Sequence, residues 1–471
     1  MSKGPVDRPR RVAYEVLRAV TESGAYANLL LPERLRTAGI SGRDAAFATE
    51  LTYGTLRRSG SYDAIASSVI DRQWSEVDRP IQDLLRLGTH QLLGMNVATH
   101  AAVTTTVELA KGEIGRARAG FVNAVLRRIA ANTFDEWMTQ LVGSDDRSAS
   151  SSLALRHAHP TWLVDEFAAA LAARGRPAEE LEDLLAADNV APEVTLVARP
   201  GRCTLAELTD AGARPGRWSP IAAILPSGDP GSLPAVREHR AGVQDEGSQL
   251  VTAALVAAPV TGRDGASSPA SGRAERWLDM CAGPGGKAAL LAALAEQHGA
   301  AVEAWELMPH RARLVSQAGG AGATVRVVDA GDPLRASETA GAFDRVLLDA
   351  PCSGAGALRR RPEARWRKEL ADLPALVAGQ RRLLANALRL VRPGGVVAYV
   401  TCSPLLAETK EVVDAVLAQQ NSREQGGVEQ VDARTLLPGL PPDVGSGPDV
   451  QLWPHLHGTD AMYLSLLRRS D

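Results

Sequence analysis

From Glu275 to the C-terminus, short apolar runs alternate with helix-patterned stretches, and this alternation restricts the chain more than any other feature. The predicted strands are Arg276–Cys281, Val302–Glu306, Thr324–Val328, Phe343–Asp349 and Val396–Val400. Helical periodicity follows at Lys287–Gln297, Pro309–Ala318, Leu373–Val391 and Leu406–Ala418, the third of these stopped by Pro393-Gly394-Gly395. Strands that alternate with helices imply a parallel sheet covered on both faces, a doubly wound α/β fold. Late apolar runs near Val450–Trp453 and Ala461–Leu467 are expected to add an antiparallel edge, and residues 420–430 read as a polar loop. In such sheets ligands sit outside the carboxyl ends of the strands. The residues that close each strand are therefore the ones to examine.

The first 131 residues follow a different pattern. Val12, Val16, Leu17 and Val20 fall at helical spacing, Ser41 or Asp44 can cap a helix over AAFATELTYGTLRR, and Pro80 suits a first helical turn. No strand signal appears before residue 132, so an all-α domain is expected. Residues 132–150 are polar and read as a connection. Helices near Trp162–Arg174 and Ala178–Asp188, with strand-like pieces such as Glu193–Ala198, predict a small α+β segment. The expected division is a helical domain at 1–135, a small α+β domain at 150–240 and a Rossmann-like α/β domain at 241–471. Residues 260–275, rich in Gly, Ser, Pro and Ala, read as a surface insertion.

A chain of 471 residues with 45% hydrophobic content can bury several cores, and aromatics at only 4% favour aliphatic helix and α/β layers. The four cysteines, Cys203, Cys281, Cys352 and Cys402, have neither disulfide-framework nor metal-site spacing. No metal is expected, and a reducing cytoplasm is the expected setting. No apolar run approaches the length of a membrane span, so no membrane partner is expected, and the chain is expected to be monomeric. Net charge is −3, which disfavours a general polyanion binder. Charge is unevenly placed, however: residues 1–130 carry 18 Lys/Arg against 13 Asp/Glu. A basic run of Arg359, Arg360, Arg361, Arg365, Arg367 and Lys368 follows Cys352. Such a run is usually a solvated face, but its place just past a strand-end turn favours contact with phosphates.

Leu278 to Lys287 reads Leu-Asp-Met-Cys-Ala-Gly-Pro-Gly-Gly-Lys, a strand entering a Gly-rich turn and then a helix. Glycines let backbone approach a ligand, and a helix N-terminus favours negative charge. The spacing matches neither the dinucleotide G-x-G-x-x-G nor the phosphate-binding P-loop. Carboxylates then close three successive strands: Glu306, Asp329 and Asp349. Each alone is explained by a cap or loop role. Together, a Gly-rich turn, a second-strand carboxylate able to hold ribose hydroxyls and a third able to bind an adenine amine point to an adenosine cofactor. S-adenosylmethionine fits better than NAD or ATP. The candidate cofactor residues are Cys281, Ala282, Gly283, Pro284, Gly285, Gly286, Lys287, Glu306, Asp329 and Asp349.

A lone cysteine is ordinarily a small buried hydrophobe, and Cys203 and Cys281 are read so. Cys352, in Asp-Ala-Pro-Cys-Ser-Gly, and Cys402, in Thr-Cys-Ser-Pro, instead occupy strand-end turns on one rim. The C5 carbon of cytosine is a poor nucleophile; thiolate addition at C6 makes the ring an enamine whose C5 can accept a methyl group. Two cysteines and a carboxylate suit that sequence, with one thiol attacking, the other assisting release and the acid pairing with N3. The residues alone leave open which thiol does which.

These motifs resemble the Sun/RsmB type of RNA (cytosine-C5) methyltransferases. RRVAYEVL and GFVNAVLRRIA resemble the NusB-like domain fused to the bacterial members that act on small-subunit ribosomal RNA, and VQDEGSQLV and HGTDAMYLSLLRR resemble that family's flanking segments. The resemblance covers nearly the whole chain. It implies a small-subunit ribosomal RNA substrate, Cys402 as nucleophile, Cys352 as release residue, and Lys287 beside the target base. Where the family often carries Asp-Gly-Arg, this chain has Asp329-Ala-Gly-Asp332, which leaves Asp329 and Asp332 as alternatives at the adenine. A transfer-RNA or large-subunit methyltransferase is the same-chemistry alternative. A non-catalytic RNA-binding assembly factor is the alternative from another class.

Overall fold

The computed structural model describes residues 7–95, 97–143, 148–261, 274–319, 322–422, 427–437 and 443–470. Two compact units emerge: Met1–Ala168 with Pro177–Ala191 and Leu358–Lys368, and Ala169–Arg176 with Pro192–Ala357 and Glu369–Asp471.

The first unit is all helical. Its leading helix, Arg8–Ser23, is capped by Asp7, whose carboxylate accepts the Arg10 N–H, and ends at Gly24 with φ 65°. Val12, Val16, Leu17 and Val20 face inward, as their spacing predicts. Helices Gly42–Arg57, Arg79–Leu93, Thr99–Glu113 and Arg116–Ile129 complete one aliphatic core. Ser41 stands at the cap position of Gly42–Arg57, but neither its side chain nor any other makes a capping bond there. The expected connection at 132–150 is largely helical instead: Phe134–Gly143 and Ala149–His157 are helices, and residues 144–147 lie outside the described residues. Trp137 explains the difference, since its buried indole donates to the Ile129 carbonyl and ties the segment to the core.

The second unit contains two sheets. The smaller comprises β1 (Val194–Ala198), β2 (Arg214–Pro215), β3 (Ala222–Leu225) and β4 (Ala241–Val243), antiparallel in the order β2-β3-β1-β4. Cys203 belongs to its small core, as expected of a buried hydrophobe.

The larger sheet comprises β5 (Arg276–Asp279), β6 (Ala301–Glu306), β7 (Ala323–Val327), β8 (Phe343–Asp349), β9 (Val391–Thr401), β10 (Val428–Val431), β11 (Val450–Gln451) and β12 (Tyr463–Arg469). Its order is β10-β12-β9-β8-β5-β6-β7, with β11 paired to β12. The five strands from β9 to β7 are parallel, and their buried Val, Leu, Trp and Ala residues are covered on both faces by helices. This is the doubly wound sheet expected, with three differences. β12 is interior, hydrogen-bonded to both β9 and β10, because its run from Tyr463 to Leu467 is apolar on both faces. The outermost strand on that side, β10, overlaps the end of the expected 420–430 loop, of which residues 423–426 lie outside the described residues. Finally, β9 begins at Val391, directly after helix Leu373–Leu390, so Pro393-Gly394-Gly395 lies inside the strand's extent rather than before it. The 260–275 insertion falls mostly at residues 262–273, outside the described residues.

Candidate active site

Strand order reverses between β5 and β8: the chain runs outward through β6 and β7 on one side, and through β9 on the other. A crevice opens at the carboxyl ends flanking such a reversal. There β5 delivers Asp279 and the Gly-rich turn, and β8 delivers Asp349 and the Pro351–Cys352 turn. Helix Gly286–His298 starts at the same rim, and Lys287 in its first turn reaches across to Asp349, Nζ to Oδ2 at 2.9 Å. Burial pushes the Lys287 ammonium down, but the Asp349 charge and hydrogen bond outweigh it and the net shift is upward. Lys287 is therefore held as a cation beside the cysteine turns.

The two cysteines meet. β8 and β9 are parallel neighbours in a register that opposes Leu348 to Tyr399 and Asp349 to Val400, so their following turns lie side by side. Cys352 Sγ and Cys402 Sγ are 3.4 Å apart. The hydrogen bond to Cys402, burial and nearby negative charge push the Cys352 thiol well up. The Cys402 turn is fastened further by the Gly356 N–H, which donates to the Cys402 carbonyl at 2.9 Å.

The Gly-rich turn is shaped around Glu306 at the end of β6. Its carboxylate accepts the N–H of Gly283 at 3.0 Å and that of Met308 at 3.0 Å, while Arg311 donates to the Gly283 carbonyl at 2.7 Å. A Cβ on Gly283 would lie 2.2 Å from Glu306 Oε2, so any larger residue there must displace that carboxylate. At the end of β7, Asp329 accepts the Gly331 N–H at 2.8 Å, and Asp332 caps the short helix Pro333–Glu338 through the Leu334 N–H at 2.9 Å. Cys281 packs against the sheet core, and burial pushes its thiol up.

Asp279 was absent from the sequence-based set of site residues. It is wholly buried at the centre of the crevice, and neither oxygen makes a well-formed hydrogen bond, although the Cys281 backbone lies near. Burial first, and then the Asp349 charge, raise its carboxyl to about 7. A buried carboxylate lacking a partner beside a Gly-rich turn suits a cationic ligand group. Its place as the last residue of β5, as Glu306 and Asp349 are the last of β6 and β8, was the signal available in the sequence. Gln244 and Glu408 are two more buried groups at this rim that sequence reasoning missed. Both amide atoms of Gln244 lack hydrogen bonds, and its Nε2 lies 3.9 Å from where a Cβ on Gly286 would be.

The basic run after Cys352 departs from expectation. Residues Leu358–Lys368 belong to the helical unit. Within it Arg365 is 1% exposed, and its guanidinium donates to the carbonyls of Arg57, Ala158 and Asp188 and to Asn189 Oδ1. Arg359 is buried too. Arg365 is structural, because three helix C-termini converge where it lies and need a donor. Arg361 is exposed, and the Arg361 and Arg367 guanidinium groups lie over the exposed ring of Tyr26.

Comparison with known proteins agrees with this geometry. Residues 269–468 match the family model described as 16S rRNA methyltransferase RsmB/F, and residues 7–131 match the NusB family. A Pseudomonas putida ribosomal RNA small subunit methyltransferase B is 31% identical over 91% of this chain and 94% of its own. The chain belongs to the ribosomal RNA small subunit methyltransferase B family. A Mycobacterium tuberculosis relative described as a "Putative methyltransferase" is 51% identical over 99% of both chains. Among solved structures, the crystal structure of PH0851 matches 98% of each chain with a TM-score of 0.77 at 20% identity. NSun6 from Pyrococcus horikoshii, solved with SFG, matches 66% of this chain and 98% of its own with a TM-score of 0.51 at 15% identity. Both are likenesses of fold. Family membership makes the chain a ribosomal RNA methyltransferase. Among the described residues no cluster of three His, Cys, Asp or Glu could hold a metal, and no helix is long and apolar enough to cross a membrane.

Proposed function

We propose that this chain methylates C5 of a cytosine in small-subunit ribosomal RNA through a covalent thiol adduct. The sulfur pair at 3.4 Å beside the Lys287–Asp349 pair carries the reading. S-adenosylmethionine is the cofactor of this methyltransferase family, and when bound it supplies an electrophilic methyl group. The residues fit it. The Gly283–Gly286 turn is closed by its own packing against Glu306, Glu306 stands where a ribose is held, and Asp279 offers an orphaned carboxylate to the cationic end. Asp329 and Asp332 each accept one backbone N–H through Oδ1, so both stay as alternatives for the adenine amine.

On the RNA side, the target base leaves its stack to reach the sulfur pair. The Cys402 thiolate adds to C6; the C5–C6 π electrons move into the C4–C5 bond and those of C4=N3 onto N3, where the Lys287 ammonium, held by Asp349, steadies the negative charge and leaves C5 an enamine carbon. After C5 has gained the methyl group, its proton is lost, the C5–C6 double bond re-forms, and the Cys402 thiolate is expelled, with Cys352 assisting. Residues 1–135, the exposed Arg361 and the half-buried Arg367 contact RNA phosphates, whereas Arg365 and Arg359 do not. The test is direct. Cys402→Ala abolishes methyl transfer to small-subunit ribosomal RNA, whereas Cys352→Ala accumulates a protein–RNA adduct that resists denaturant. Retained activity in the first variant overturns the nucleophile assignment; absence of adduct in the second overturns the release assignment. Mapping bisulfite-resistant cytosines in cells with and without the gene separates small-subunit from large-subunit or transfer-RNA substrates.

A further inference from the structure

Glu408 ends a single 3-10 turn, Leu406–Glu408, shortly after Cys402, and it is 0% exposed. Among the described residues it has no ion-pair partner. Its carboxylate is satisfied instead by neutral donors, which come from the two cysteine turns and from helix Leu373–Leu390. Oε1 accepts the Ser353 N–H at 2.7 Å and Gln380 Nε2 at 3.1 Å. Oε2 accepts the Ser353 hydroxyl at 2.5 Å and the Ser403 hydroxyl at 2.6 Å. Ser353 directly follows Cys352, and Ser403 directly follows Cys402. Gln380 also donates to the carbonyl of Pro351, just before Cys352, at 3.0 Å. The backbone of Glu408 is fixed in turn, since its carbonyl accepts the buried Tyr399 hydroxyl at 2.8 Å from β9. Three of these four hydrogen bonds come from turns that belong to different strands and the fourth from helix Leu373–Leu390; the two turns otherwise touch through the 3.4 Å Ser353–Ser403 hydroxyl contact, the sulfur pair and the Gly356 N–H bond to the Cys402 carbonyl.

A buried carboxylate with several donors is an expensive group to keep unless its geometry is used. Here it joins the residue after each thiol to one rigid point. We propose that Glu408 is a positioning residue that clamps the Cys352 and Cys402 turns together and thereby sets the separation of the two sulfurs. This rests on reading those cysteines as release residue and nucleophile. Glu408 touches neither sulfur; it acts through Ser353 and Ser403. Its charge also adds to the forces that hold the Cys352 thiol protonated. Loosening the clamp leaves Cys402 able to add to a base but misplaces Cys352 for the release that follows.

The experiment compares the wild-type chain, Glu408→Ala, Glu408→Gln and the double variant Ser353→Ala with Ser403→Ala. Each is treated with diamide, and formation of the Cys352–Cys402 disulfide is timed by mass spectrometry. Two thiols lose two protons and two electrons to the diazene, which becomes a hydrazine; once each rate is divided by the thiolate reactivity measured by iodoacetamide alkylation of the same variant, it reports sulfur juxtaposition. The expected result is slowing of about tenfold or more in Glu408→Ala and in the serine double variant, and a smaller effect in Glu408→Gln. Glu408→Gln is the conservative variant, because a Gln amide can face the two hydroxyls, which then rotate to accept. With RNA and S-adenosylmethionine, the serine double variant is expected to raise the fraction of protein held as adduct while turnover falls; a merely structural defect lowers both. Unchanged disulfide rates in Glu408→Ala and in the serine variant overturn the clamp. If Glu408→Ala does not fold, the serine variant decides alone. Failure of the cysteine reading shows separately, as activity in Cys402→Ala with the disulfide rates still altered.

Discussion

Replacing Arg365 with Met distinguishes a structural arginine from one that contacts RNA. The guanidinium lies 3.0 Å from the Arg57 carbonyl, 3.0 Å from that of Ala158, 3.0 Å from Asn189 Oδ1 and 3.3 Å from the Asp188 carbonyl. These acceptors stand at or just past the ends of helices Gly42–Arg57, Ala149–His157 and Glu180–Ala187. Removing the donor strands several buried acceptors at about 1–3 kcal/mol each. The opposing effect is desolvation, which lowers the guanidinium pKa to about 10 and is relieved by the apolar Met. Allowing for that relief, a net loss of about 3 kcal/mol in the helical unit is expected, equivalent to roughly 100-fold in local opening. Amide hydrogen exchange along the three helices measures it, and RNA binding over a salt series measures the rival role. The expected outcome is a fall in protection of about that size near the three helix ends, with the salt slope of folded protein unchanged. Protection within about threefold of wild type, together with a slope reduced by about one, would refute the structural reading, because that is the signature of a lost phosphate contact.

Asp279, raised to about 7 against an ordinary 3.8, binds its proton more tightly folded than unfolded, so its contribution to stability falls as pH rises from about 4 through 7. A cationic ligand prefers the ionised form. S-adenosylmethionine affinity should therefore rise as pH passes through about 7 with proton release seen by calorimetry in two buffers, and Asp279→Asn should flatten that dependence. Gly283→Ala drives a Cβ against Glu306 Oε2 and should weaken S-adenosylmethionine binding by about tenfold or more without unfolding the sheet; calorimetry against thermal melting separates the two. Cys203→Ala, in the core of the small sheet, should leave methyl transfer within about twofold and lower stability by about 1 kcal/mol, as read by turnover and urea midpoint.

What the amino-acid order determined alone is what local chemistry controls. Helical spacing in Arg8–Ser23, the apolar runs of β5 to β9, the glycines before Lys287 and the carboxylates closing successive strands are consequences of neighbours in sequence, and each was legible. The placing of Cys352 and Cys402 on one rim followed from strand ends. Their separation of 3.4 Å did not, because it depends on β8 and β9 being parallel neighbours in one register. Burial was equally beyond reach. Arg365 reads like Arg361 in a basic run, yet one caps three helix ends inside a core and the other faces solvent, a difference set by segments more than a hundred residues away. β12 reads as an edge and is interior, because β10 comes from a stretch with too few apolar residues to announce a strand. Glu408 reads as a charged residue opening a helix. Only the tertiary structure surrounds it with Ser353, Ser403 and Gln380, because the donors that make a buried carboxylate tolerable are supplied by pairing and packing across the sheet rather than along the chain.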